Sequence, residues 1–225
     1  MNKLRSKAYW IRLMLVLGIY FSWSQLFLSA DTWKVLYEEK FEQIKEGGLP
    51  EDFFVLDGEF EVSSKEGRKC LRMRGNPVGE HGFLFGPRLN EDGLEFSFSC
   101  LGGIKSRRHN VFAGAIGGAK GLCFRMNPSS QQVSFTRIDG WQKSLPVTWA
   151  SSEWMRVFVQ TTWVADKEFT QVHAHVSRES SRTDKVFQSS ITIDERIRSG
   201  KCMLWGFAYA EKEMYWDNLL IRAKN

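Results

Sequence analysis

Apolar residues in this chain recur at every second position, in short runs broken by turn residues. The clearest run is Ser152 to Val164, Ser-Glu-Trp-Met-Arg-Val-Phe-Val-Gln-Thr-Thr-Trp-Val. Successive side chains of an extended backbone point to opposite sides, so Met155, Val157 and Val159 share one face and Trp154, Arg156, Phe158 and Gln160 the other. The first face reads as core. The second mixes aromatic, cationic and amide groups, which suits either a binding surface or a sheet face roofed by a loop.

The pattern repeats from end to end. Val35 to Phe41, Phe53 to Leu56, Glu59 to Val62, Lys69 to Arg74 and a short Phe83 to Phe85 are expected strands, and Leu94, Phe96 and Phe98 alternate with Glu95, Ser97 and Ser99. Further runs follow at Val111–Ile116, Leu122–Met126, from Val133, and at Phe169–Val176, Val186–Ile193, Met203–Tyr209 and Tyr215–Ile221. Gly47-Gly48-Leu49-Pro50, Gly75-Asn76-Pro77, Gly117-Gly118 and Asp139-Gly140 separate them, and Asp57-Gly58 signals a hairpin because such a turn requires positive φ. Asp194 to Ser199 is the one helical turn expected, with Asp194 as its cap and Gly200 as its stop. About a dozen strands at this spacing, without a repeat period, predict an all-β fold of two antiparallel sheets packed face to face.

Residues 1–30 stand apart. Lys3, Arg5, Lys7 and Arg12 precede a mostly apolar run from Leu13 to Leu28, and Leu28-Ser29-Ala30 offers a cleavage site, so the segment reads as a secretory signal peptide. Ser22, Ser24 and Gln25 interrupt the apolar run and shorten it below the ~20 residues that cross a bilayer, which favours cleavage over anchoring. Removing it takes away four of 31 basic residues and none of 26 acidic ones, lowering the formal charge from +5 to +1. Residues 31–225 are then a single, nearly neutral domain, exported to a periplasmic or extracellular space, with no general attraction for nucleic acid or anionic membrane. Membrane contact is expected only through the signal segment. The basic run Lys105-Ser106-Arg107-Arg108-His109 follows Gly102-Gly103 and reads as a solvated loop. Cys70, Cys100, Cys123 and Cys202 allow two disulfides in three pairings, or free thiols, since three of the four sit in apolar alternating stretches, and their spacing does not suggest zinc.

Three stretches carry a resemblance: Trp154-Met-Arg-Val-Phe-Val, Arg198-Ser-Gly-Lys-Cys-Met-Leu-Trp-Gly-Phe and Tyr215-Trp-Asp-Asn-Leu-Leu-Ile-Arg. In residues and in order they resemble secreted bacterial domains of the concanavalin A-like lectin/glucanase superfamily, including laminin G-like modules and a family labelled 3-keto-disaccharide hydrolase. The resemblance implies a jelly-roll sandwich in which the strand bearing Asp217-Asn218 lies beside the Val35–Phe41 strand. Glucanases of this superfamily carry carboxylates at alternate positions of one strand, so that acid and nucleophile stand ~5 Å apart. This chain departs from that pattern, because Glu95 is followed by Ser97 and Ser99.

Other candidate chemistry is sparse. Glu59 and Glu61 share a face just after a turn, where exposed acids are common. His173 and His175 share the face opposite the core, two ligands where a catalytic zinc site takes three. No Gly-x-Ser-x-Gly elbow or phosphate loop is present. Glu38 or Glu39 with Asp217 are the candidate ligands of a structural calcium if the terminal strands pair; no other cofactor is expected. Among the aromatics, Trp163 and Trp205 are in phase with apolar neighbours and read as core, whereas Trp141 and Trp154 read as exposed. With Arg156 and Phe158 they form the candidate ligand site, since ring faces stack on sugars while polar groups take the hydroxyls. The expected function is non-catalytic binding of carbohydrate or a cell-surface partner; the alternatives are a glycan hydrolase of the same superfamily using other carboxylates, or an adhesion module.

Overall fold

Each period-two run becomes a strand of one of two large antiparallel sheets. The computed structural model describes residues 32–149, 152–181, 183–197 and 199–224; the expected signal segment lies outside them. The eight-stranded sheet contains β1 (Trp33–Glu39), β3 (Phe60–Lys65), β4 (Arg68–Met73), β6 (Gly93–Leu101), β13 (Met155–Val164), β14 (Phe169–Arg178), β15 (Lys185–Ile193) and β17 (Met214–Lys224). Its order is β15-β14-β13-β6-β17-β4-β3, with β1 also paired to β17. The seven-stranded sheet contains β2 (Phe54–Asp57), β5 (Glu80–Leu89), β9 (Val111–Ile116), β10 (Leu122–Asn127), β11 (Gln132–Thr136), β12 (Gln142–Pro146) and β16 (Gly200–Phe207), in the order β12-β11-β10-β9-β16-β5-β2. A small hairpin, β7 (Ile104–Lys105) and β8 (Arg108–His109), carries the basic run, where Lys105 and Arg108 both ion-pair with Glu211.

The first and last strands pair as the resemblance implies, with Glu38 opposite Leu220 and Glu39 opposite Leu219. Between the sheets lies an aromatic core. Trp216 is fully buried at its centre, with ring centroids 5.4 Å from Phe112 and 5.9 Å from Phe60. Gly206 faces it from the other sheet, where a Cβ would stand 2.7 Å from the indole. Met155, Val157 and Val159 are buried in this core, as their alternation predicts.

Several local expectations fail for identifiable reasons. Asp57-Gly58 does not close a hairpin: β2 pairs with β5 in one sheet and β3 with β4 in the other, so this turn carries the chain between sheets. Gly58 does have the positive φ, 90°, but the hairpin of this region turns at Glu66-Gly67, φ 54° and 81°. β5 runs ten residues instead of three, because Gly86 at φ 67° lets the strand bend and continue through Pro87. No helical turn forms over residues 194–197; Thr170 donates to the Glu195 carbonyl and Ile197 packs on the core, which holds this segment as an irregular bend. Trp205 lies on the outer face of the seven-stranded sheet beside Phe207 rather than in the core, since Leu204 and Gly206 take the inward positions. All four cysteines are free thiols: Cys100 and Cys202 face the core, and Cys70 lies in a separate cluster with Leu101 and Tyr215.

Candidate functional site

Because β6, β13, β14 and β17 bury one set of alternate residues, the other set must stand on the outer face of the eight-stranded sheet. Strand pairing arranges that set in rows. Arg222, Glu95, Gln160 and His173 form one row; Leu220, Ser97, Phe158 and His175 the next; Asp217, Ser99, Arg156 and Ser177 the third. Eight of these residues, Arg222, Glu95, Leu220, Ser97, Phe158, His175, Arg156 and Ser177, floor a groove of about 400 Å³, with Glu38 and Lys40 on the β1 side and Glu179 at one end.

Phe158 and His175 stack with ring centroids 4.5 Å apart and an interplanar angle of 18°. Burial, with Lys185 and Arg156 nearby, holds the His175 pKa below its usual value, so the stacked pair is uncharged at neutral pH. Arg156 bridges two rows, donating to Ser97 Oγ at 2.9 Å and Ser99 Oγ at 3.5 Å. Burial raises the Glu95 pKa against the pull of Arg222, 3.3 Å away, and of Arg156.

The end of the groove is set by a bulge. β17 inserts one residue against β6 between Asp217, opposite Ser99, and Leu220, opposite Ser97. Asn218 takes φ 51° there, a conformation asparagine tolerates better than most residues. Leu219 is fully buried, so Asp217 and Asn218 both turn to the outer face instead of alternating. Asp217 accepts the Asn218 backbone N–H at 2.6 Å and meets Arg68 at 3.4 Å. Arg68 also binds Glu179 at 2.6 Å, and Glu179 accepts from Ser99 Oγ at 2.7 Å. Burial pushes the Glu179 pKa up, but the Arg68 and Ser99 hydrogen bonds outweigh it and the carboxyl stays below its usual range. Asp217 goes the other way: burial raises it to about 6, only partly opposed by Asn218 and Arg68.

Three of the four expected ligand residues share this face. Trp154 flanks the groove in a neighbouring opening with Glu66, Arg68, Glu153, Glu179 and Ser180, so Glu179 borders both spaces. The Arg68 guanidinium lies 3.5 Å from the Trp154 ring centroid, and the indole N–H donates to Glu66 at 2.9 Å. The Trp154 ring is therefore half-buried and already stacked on one side. Trp141 is elsewhere, in the turn between β11 and β12 of the other sheet, packed against the core.

The expected calcium ligands do not converge. Glu38 borders the groove and pairs with Lys40 at 2.7 Å, whereas Glu39 accepts the Phe41 backbone N–H, and neighbouring residues of a strand face opposite ways. Asp217 is held by Arg68 and Asn218. Among the described residues, no group of three or more His, Cys, Asp or Glu is placed to hold a metal ion. His173 bonds Ser190 at 2.7 Å and Glu61 pairs with Arg72.

Arg68 and Glu179 were not singled out by the sequence, and Asn218 was named only as half of the Asp217-Asn218 pair. Glu179 follows β14 and binds a serine 80 positions earlier, which local patterning does not reveal. The Asp-Asn pair was the one available signal, since both residues tolerate bulge geometry.

No protein-family model matches the sequence, and no curated protein matches it. Solved structures do. Lectin II from Ulex europaeus superimposes with a TM-score of 0.52 at 11% identity, covering 84% of this chain and 98% of the lectin. Basic winged bean lectin, solved with Tn-antigen, gives 0.54 at 10% identity over 84% of this chain and 98% of its own. The carbohydrate recognition domain of Emp47p gives 0.51 at 12%, over 88% and 98%. At these identities the likeness is one of fold, the concanavalin A-like jelly roll.

Proposed function

We propose that this domain binds carbohydrate through the outer face of its eight-stranded sheet and does not cleave it. The observation that carries this reading is the make-up of the groove: a neutral aromatic pair, Phe158 and His175, beside an arginine held on two serines and bordered by carboxylates. Sugars present apolar ring faces and hydroxyl edges, which such a surface meets with stacking and with donors and acceptors of both kinds. The fold neighbours support it, because the winged bean lectin is solved with an antigen and Emp47p contributes a carbohydrate recognition domain. Holding is favoured over cutting because Glu95 is tied to Arg222 and Glu179 to Arg68 and Ser99. Export follows from the pattern of residues 1–30, and the glycan is then one met outside the cytoplasm, free or on a cell surface.

One observation favours a second reading, hydrolysis. Glu179 and Asp217 both lie within reach of the Asn218 amide, so their oxygens are at most about 7 Å apart, and their pKa values are pushed in opposite directions, as in acid–base pairs. A glycan array followed by calorimetry and a reducing-end assay separates the two. Binding without product, weakened about tenfold in Phe158→Ala by loss of the stacking ring, is the expected result. Absence of binding to any glycan sinks the carbohydrate reading; product that disappears in Glu179→Gln replaces it with hydrolysis.

A further inference from the structure

The opposite side of the sandwich carries a second cleft, on the outer face of the seven-stranded sheet. One cross-strand row there reads Gly82, Trp205, Ala113, Arg125. Ala113 is a low floor between two tall side chains. Gly82 makes room for the indole, because a Cβ at that position would stand 2.7 Å from Trp205 Cδ1. On the other flank the Arg125 guanidinium lies 4.2 Å from the Phe207 ring centroid. Ile138, 60% exposed on the β11–β12 turn, lines the cleft from above, and Glu80 lines it at the β5 end. The space is about 250 Å³.

Of its charged groups, neither Arg125 nor Glu80 makes an ion pair with any described residue, Arg125 resting only on the Phe207 ring. The Trp205 indole N–H, on a half-buried side chain, donates to none of the described residues. Arg137, which also lines the cleft, is occupied by Asp139 and Glu195. A free cation and a free carboxylate in one cleft disfavour a ligand of either net charge, since each sign of charge meets a like group. Both groups can instead engage hydroxyls, the guanidinium as a fork of donors and the carboxylate as a paired acceptor. The indole supplies an apolar face with one polar edge.

We propose that this cleft is a second carbohydrate site, taking a single neutral pyranose ring stacked on Trp205, with its hydroxyls held by Arg125, Glu80 and the indole N–H. The volume, below the ~300–1,000 Å³ of pockets for larger ligands, suits one ring rather than a chain segment. The site stands independently of the groove on the other sheet. If both are occupied, two glycan chains are held on opposite faces of one domain, a consequence that rests on the groove reading as well.

The test uses the Phe158→Ala protein, so that the groove contributes little, and saturation-transfer NMR with the methyl glycosides of glucose, galactose and mannose. Methyl glucuronide and methyl glucosaminide serve as charged comparators. At least one neutral glycoside is expected to bind, about tenfold more weakly after Trp205→Ala and after Glu80→Gln. Glu80 is exposed, so that variant keeps the fold if the indole variant does not; circular dichroism checks both. The proposal is overturned if no neutral glycoside binds, if a charged glycoside binds better, or if binding survives Glu80→Gln undiminished. Failure of the groove reading looks different: wild type and Phe158→Ala would then bind alike, and only the Trp205 and Glu80 changes would matter.

Discussion

Replacing Asp217 by asparagine tests how the charges beneath the groove are held. Asp217 is 5% exposed, and burial lifts its pKa from the usual 3.8 to about 6, with Asn218 and Arg68 opposing and Glu179 and Glu42 adding to the rise. In the unfolded chain the carboxyl returns to its ordinary value. Between the two pKa values the folded protein binds more protons than the unfolded one, so stability falls as pH rises through about 4 to 6. Two pH units correspond to about 3 kcal/mol. Asparagine keeps the size of the side chain and an oxygen that can accept from the Asn218 N–H and Arg68, but never ionises. Urea unfolding of both proteins between pH 4 and pH 8 gives the stability difference directly, and taking the difference cancels the titration of other groups. Asp217→Asn should match wild type near pH 4 and exceed it by up to about 3 kcal/mol above pH 7. A flat difference curve, or one that favours wild type at high pH, would mean that Arg68 stabilises the ionised form more than burial penalises it, and the account of this corner would be wrong.

Two further outcomes follow from the core. Gly206→Ala pushes a methyl against Trp216, Met73 and Met214 at 2.7, 2.8 and 3.0 Å, and overpacking of this kind should cost about 1–3 kcal/mol in urea unfolding; an unchanged midpoint would show that Trp216 has room to move. The four cysteines are free and burial raises every one of their pKa values, Cys70 to about 12, so a thiol reagent at pH 8 should label the native protein slowly and all four sites after unfolding without reductant. Fewer than four reactive thiols in the unfolded chain would establish a disulfide.

The layer structure was legible in the sequence because burial on a strand has a period of two. Met155, Val157 and Val159 go in and Arg156 and Phe158 stay out, as alternation requires. The pairing of strands was less legible. Asp57-Gly58 signals a turn correctly, but the turn joins strands of different sheets, and nothing within four residues of it says which sheet comes next. Trp205 shows the same limit: its neighbours Leu204 and Gly206 face the core, and an unbroken apolar run does not reveal which of its two faces is inside. The site was legible by halves. Trp154, Arg156 and Phe158 come from one run, whereas Arg68 on β4 and Glu179 in the turn after β14 lie 111 positions apart in the chain.

That long-range half gives the groove its shape. β17 changes partner along its free edge, pairing with β4 through Trp216 and with β1 from Leu219 onward. Asp217 and Asn218 fall in the gap, where neither strand claims the edge, and the bulge turns both side chains outward. Arg68 from β4 and Glu179 from the turn after β14 close over them, joined to Ser99 at the sheet's centre. Four separate stretches of chain are thus tied at one point, and Arg68 extends the tie to the Trp154 ring. On the proposed reading, a ligand entering beside Phe158 would meet side chains already fixed by these bonds, so little ordering would be left for binding to impose. The same bonds occupy Glu179 and Asp217, which is the ground on which holding is proposed over cleavage.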